Sequence, residues 1–146
     1  MTDATLVEVM DALAGQIETR LASQVAQLQV VGRFMLAPSV PSVDIYPAPD
    51  PFQEQSGFGR DDSDINFVIR ARVSTVDQDG GQEILLAMMD PSGPASMVRA
   101  VIYDKTLGGK VQSCECDPPS DFGAYVEPLT QGKAYLGCTW LARVTV

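Results

Sequence analysis

The sequence predicts an α+β fold: a mostly antiparallel sheet of about four strands, with a long N-terminal helix and two shorter helices packed on it, in one domain spanning 1–146. Three observations predict it. Apolar residues near the N-terminus recur at steps of three and four, the period of a helix. Two long stretches, 64–76 and 133–146, alternate apolar and polar residues, the period of a strand with one buried face. Between these stretches lie two shorter helical segments, so runs of strands are separated by helices.

The first helix is expected from roughly Asp3 to Gln29, with Leu6, Val9, Met10, Leu13, Ile17, Leu21, Val25 and Leu28 on one face. Thr5 and Glu8 have the spacing of a capping box, with Thr2 and Asp3 as alternative starts. Gly15 weakens the helix in its middle and Gly32 offers a stop. Residues 37–51, "APSVPSVDIYPAPDP", carry prolines at 38, 41, 47, 49 and 51, which forbid a helix and favour extended chain. Within them "SVDIY" alternates and reads as a short edge strand bounded by prolines. From Pro47 to Ser63 periodicity is lost, and a long loop is expected that carries two aromatic residues, Phe52 and Phe58.

"DINFVIRARVSTV", 64–76, is the clearest strand. Ile65, Phe67, Ile69, Ala71 and Val73 share one face; Asn66, Arg70, Arg72 and Ser74 share the other, with Val68 the exception. "DQDGG" is expected to turn the chain into a second helix, "QEILLAMMD", ended by Pro91 and Gly93. "PASMVRAVIYD" is the third helix, with Ser96 or Ser92 near its start and Met97, Val98, Val101 and Ile102 on its apolar side. "KVQSCECD" alternates as a strand. "KAYLGCTWLARVTV" closes the chain as another, with Leu136, Cys138, Trp140, Ala142, Val144 and Val146 on one face.

Composition narrows the function. A length of 146 residues with 45% hydrophobic content suits one folded domain with one core. Ten basic against nineteen acidic residues give a net charge of −9, and the few lysines and arginines are scattered. That pattern argues against a nucleic-acid reader and is compatible with a surface that repels phosphates. Apolar runs such as Ile84–Met89 fall far short of the roughly 20 residues that span a bilayer. The N-terminus lacks the basic region of a signal peptide, so synthesis and residence in the cytosol are expected.

Histidine is absent, which removes His-dependent triads, metal sites and pH switches. Cys114, Cys116 and Cys138 lack the spacing of a zinc site; Cys114 and Cys116, two apart on a strand and so on one face, read as two small buried hydrophobes in a reducing compartment. "DKTLGGKV", 104–111, has a lysine beside two glycines, but not the spacing of a phosphate loop. Lys110 is followed by Val111, and a helix precedes the glycines where a strand is required. Leu107, Gly108 and Gly109 are instead expected to form a structural turn from helix to strand, with Leu107 tucked onto the core. Asp62, Asp64 and Asn66 have the 1-3-5 spacing of a calcium loop, but Phe67 and Val73 stand where glycine and glutamate are needed. No catalytic, cofactor-binding or metal-binding residue is therefore assigned, and an enzyme is not expected.

Three phrases, in their order along the chain, carry a resemblance: "DALAGQIETRLAS" (11–23), "VRAVIYDKTLGG" (98–109) and the closing "AYLGCTWLARVTV" (134–146). In these and in length the chain resembles the tail terminator proteins of long-tailed double-stranded DNA bacteriophages, in particular those of phages of actinobacteria. The resemblance covers most of the chain through structural turns and strands. It implies a small α+β subunit of a homo-oligomeric ring, six-membered in the family, located in the virion at the tail and neck after assembly in the host cytoplasm. Such a ring ends polymerisation of the tail tube protein, joins the head–tail connector and lets DNA pass without specific binding. The family brings no cofactor and no catalytic residue. Composition of the 47–63 stretch nominates Phe52, Phe58 and Arg60 as interface residues. A head-completion stopper of the neck and a small monomeric ligand-binding α+β domain are the alternatives.

Overall fold

The computed structural model of the chain describes residues 5–35, 40–54, 63–74, 78–127 and 133–145. Among them the order is α1 Leu6–Leu21, β1 Gln29–Val31, β2 Ser42–Glu54, β3 Ser63–Ser74, α2 Gln78–Met89, α3 Met97–Ile102, β4 Ser113–Cys116, β5 Ser120–Glu127 and β6 Lys133–Thr145.

α1 starts where its sequence provides a cap. The Thr5 hydroxyl accepts the Glu8 amide at 3.2 Å and donates to the Glu8 carboxylate, also at 3.2 Å. Val9, Met10, Leu13, Ala14, Ile17 and Leu21 form the buried face. The helix ends at Leu21, about two turns before the expected Gln29. The amides of Gln24 and Val25 both turn back to the Leu21 carbonyl, and Gln27 takes φ 59°, which no α-helix accommodates. Val25 remains buried. The apolar spacing thus continues past the helix while the backbone does not.

The sheet is mostly antiparallel, as expected, with one parallel pairing that makes it mixed, but it has six strands among the described residues, not about four. Its order is β1-β2-β3-β6-β4, with β5 also on β6. β1 runs parallel to β2, with Gln29 opposite Ser42 and Val31 opposite Asp44. β4 pairs with Ala142–Thr145 and β5 with Lys133–Thr139, so the two strands lie end to end along one side of β6. Asp117 still donates to the Leu141 carbonyl at 2.8 Å. Pro118 and Pro119, which have no amide hydrogen, then break the ladder.

β2 is also longer than its prolines suggest. It runs to Glu54, so the expected loop from Pro47 is strand over its first eight residues, 47–54. Pro47 pairs with Phe67 and the next pair is Phe52 with Ile65, so residues 48–51 bulge opposite Asn66. The prolines fall at and within this irregularity, where the ladder does not require every amide.

Ile45, Ile69 and Trp140 stand side by side across β2, β3 and β6, and all three are fully buried. Phe67 faces Ala142 in the same layer. The helices cover this face with Leu13, Ile17, Leu85, Met88, Met97 and Val101. Gln16 ties α1 to α3 by donating to the carbonyls of Ala100 and Val101, at 2.9 and 2.8 Å. The Ser96 hydroxyl caps α3 by accepting the Arg99 amide.

Between α3 and β4 the chain reverses through left-handed backbone: Leu107, Gly108 and Gly109 have φ of 49°, 72° and 87°. The Leu107 side chain is buried. Asp104 organises the turn. Its carboxylate accepts the Thr106 amide and hydroxyl at 3.0 and 2.8 Å and the Gly108 amide at 2.9 Å. The Thr106 hydroxyl and these amides hold the Asp104 carboxyl below the usual carboxylate range. No helix among the described residues is long and apolar enough to cross a membrane.

Candidate functional site

The sheet face opposite the helices carries the most unusual chemistry. Strand alternation puts Ser42, Asp44 and Tyr46 of β2, Arg70 and Arg72 of β3, and Tyr135, Gly137 and Thr139 of β6 on this face. Register then aligns them in rows: Asp44 beside Arg70 beside Thr139, and Ser42 beside Arg72 beside Gly137.

Asp44 is fully buried and held from several sides. Arg70 donates Nε to Oδ1 at 3.0 Å and Nη2 to Oδ2 at 2.6 Å, a bidentate pair. Arg72, also fully buried, places Nη2 3.3 Å from Oδ2. The Met35 amide donates to Oδ2 at 3.0 Å, and its carbonyl accepts from Arg70 and Arg72 at 3.2 and 2.9 Å. The first part of the β1–β2 connection, at Met35, thereby lies on the sheet. Buried charges of this kind persist only when paired and hydrogen-bonded. Burial works against the Arg70 charge, but the hydrogen bond and charge of Asp44 outweigh it and raise its pKa.

Aromatic rings frame this ion cluster. The Arg70 guanidinium lies 4.7 Å from the Phe34 ring and 5.2 Å from that of Tyr46. Phe34 and Tyr46 meet edge to face at 4.9 Å. Arg72 lies 5.4 Å from the Tyr135 ring, which stacks on Tyr125 at 5.8 Å. Burial raises the Tyr46 phenol pKa despite Arg70, and burial together with Asp121 raises that of Tyr125.

Some of these groups line a cleft of about 360 Å³, whose lining is Tyr46, Arg70, Asp121, Tyr125, Tyr135, Gly137, Cys138 and Thr139. A Cβ at Gly137 would lie 2.9 Å from the Ala71 carbonyl oxygen, so any larger residue pushes the sheet open there. Thr139 donates to Asp121 at 3.3 Å, and the Tyr125 hydroxyl donates to the Asp121 carbonyl, fastening β5 to the cleft. Since Asp44 is paired with the Arg70 guanidinium, what the cleft offers a partner is chiefly the aromatic surface of Tyr46, Tyr125 and Tyr135.

The residues nominated from sequence fall elsewhere. Phe52 lies in β2 opposite Ile65, while Phe58 and Arg60 lie outside the described residues, as does Asp62 of the calcium-like spacing. Asp64 accepts from the Thr145 hydroxyl at 2.7 Å across the sheet. Leu107, Gly108 and Gly109 form the corner after α3, remote in sequence from every strand residue of the cleft. The three thiols face low-polarity surroundings: burial pushes Cys114, Cys116 and Cys138 up to about 12 each. Among the described residues no three histidine, cysteine or acidic side chains converge as metal ligands.

Sequence reasoning missed the Asp44, Arg70 and Arg72 cluster and the four rings around it. The available signal was a pair of arginines two apart on a strand, which had to share a face. Their acidic partner depends on the β2–β3 register, which no local pattern reveals. No family model matches the chain, and no curated protein matches it.

Proposed function

We propose that the chain is a ring-forming virion assembly protein of the tail terminator kind, which caps a tail tube, ends its growth and joins it to the head connector. The observation that supports this reading is the aromatic surface around the outer cleft. Phe34 is 51% exposed and Tyr125 39% exposed, beside the half-buried Tyr46 and Tyr135, and Phe122 on the same strand as Tyr125 is 43% exposed. Exposed aromatic residues around a rigid, desolvated ion cluster have the composition of a protein contact surface. The sheet also ends in two unlike strands, β1 on one side and the interrupted β4–β5 line on the other. Unlike edges suit a head-to-tail contact, which closes into a ring when its rotation allows. Phe52, Phe58 and Arg60 enter as further contact residues, and the net charge of −9 suits a channel that lets DNA pass. A stopper of the neck is the alternative assembly role for the same surface.

The test is light scattering and negative-stain electron microscopy of the purified protein over a wide concentration range. Rings with a central channel are expected, and Phe34→Ser with Tyr125→Ser should shift the distribution to the 15.7 kDa monomer. A monomer at every concentration, with no ring in any field, removes the reading. The cleft itself favours a second one, a small monomeric ligand-binding domain, because its volume of about 360 Å³ and its lining of tyrosines with Arg70 and Asp121 suit a modest small-molecule site. A small molecule that protects the monomer against heat, and loses that effect on Gly137→Val, would favour it.

A further inference from the structure

We propose that the small pocket between α1 and α3 is an oxyanion site, formed by Arg20 and Arg99 around Ser96. The pocket holds about 160 Å³, and Gly93, Pro94 and Ala100 complete its wall. That size admits one phosphate or carboxylate group. Arg20, in the last turn of α1, is stacked with its guanidinium carbon 4.2 Å from the centre of the Tyr103 ring. Stacking uses the face of the guanidinium and leaves its edge donors for a ligand. Arg99 gives one Nη1 hydrogen to the Ser92 carbonyl at 2.9 Å, which leaves most of its five donors. Ser96 is 1% exposed; its oxygen accepts the Arg99 amide, and its hydroxyl hydrogen is available to donate.

Charge sets this pocket apart from the other arginine positions. Arg33, Arg70 and Arg143 each have a carboxylate within 3 Å. Among the described residues Arg20 and Arg99 have none. Asp90 lies beside the Gly93 end of the pocket, but its carboxylate accepts the amides of Ser92 and Gly93 and the Ser92 hydroxyl, and it does not line the pocket. Two arginines line this one small pocket without a carboxylate among its lining residues, and a bound oxyanion would accept charge-assisted hydrogen bonds from both. The site lies on the helix side of the molecule, apart from the aromatic cleft, and does not depend on ring formation.

Inorganic phosphate and a carboxylate side chain share the required chemistry, and one titration separates them. The full chain, labelled with nitrogen-15, is titrated with sodium phosphate, sodium acetate or sodium chloride at fixed pH and ionic strength and followed by NMR. Saturable shifts are expected at the Arg20 and Arg99 side chains and the amides of 93–99, with an oxyanion but not with chloride. Arg20→Ala and Arg99→Ala should each weaken binding by about fivefold or more, and the double variant should abolish it. Arg143→Ala, at an exposed ion pair elsewhere, should leave it intact. Phosphate tighter than acetate assigns the site to phosphate groups; acetate equal or tighter assigns it to carboxylates. No saturable response to either anion, an equal response to chloride, or a response that survives the double variant overturns the proposal.

Discussion

Asp44 shows how much one side chain can decide. With Asp44→Ala, Arg72 remains fully buried and Arg70 mostly buried with their carboxylate gone, so a loss of about 3–5 kcal/mol is expected in denaturant unfolding. Asp11 is the control, because its pair with Arg33 at 2.9 Å is about half exposed, and Asp11→Ala should cost less than about 1 kcal/mol. Equal costs for the two variants would contradict the assignment of Asp44 as the anchor of the outer face. The cysteines make a second prediction. Their folded pKa of about 12 stands above the ordinary 9.0, so between those values the folded chain binds more protons than the unfolded one. Their contribution is complete below about pH 9 and is lost as pH rises toward about 12. Unfolding free energy should fall over that range, and a variant with all three cysteines changed to alanine should fall less steeply. Parallel slopes for the two proteins would count against burial as the cause. Of this chemistry, the buried Cys114 was legible in the spacing of the cysteines, though Cys116, expected to be buried with it, is only partly so, whereas the charge cluster needed the cross-strand register.

At the scale of elements, local chemistry set several boundaries and long-range pairing set the rest. Thr5 and Ser96 cap α1 and α3, and both are visible in sequence as hydroxyl residues just before apolar periodicity. β3 and β6 were legible because alternation over a dozen residues, broken only at Val68 and Leu141, leaves one face to bury. β1 was not, because its three residues continue the apolar spacing of α1 and gain their identity only beside β2. β5 was hidden for a different reason: its described side chains are largely exposed, so burial imposes no alternation on "SDFGAYVE". The corner after α3 yields the prediction at this scale. Gly109 has φ 87° and open space around its α-carbon, so Gly109→Val introduces backbone strain without a collision. Thermal or urea unfolding should register a loss of about 1 kcal/mol or more, whereas Lys110→Val, at the exposed next residue, should lose less. A neutral Gly109→Val would mean that the left-handed corner is dispensable. ATP or GTP at millimolar concentration should not raise the melting temperature, because this corner lies between a helix and a strand and lacks the spacing of a phosphate loop.

Among the described residues the molecule is a curled mixed sheet with three helices on one face and aromatic, ion-paired surface on the other. The α+β class and the long first helix were legible because periodicity reports which face is buried. The parallel edge strand, the interrupted β4–β5 line and the outer cleft were not, since each arises from pairing between distant segments. The proposed role rests on this asymmetry. A tube of identical rings recreates its own growing end at every addition, so a terminator must match the tube on one surface and differ on another. The measurement that tests this most directly is electron microscopy of particles made by a phage from which this gene has been deleted, with the gene supplied in trans as the control. Overlong tails that fail to join heads are expected, restored to uniform, joined tails by the supplied gene. Tails of normal length beside heads that have lost their DNA would point to a stopper, and normal-length tails joined to full heads would contradict the account.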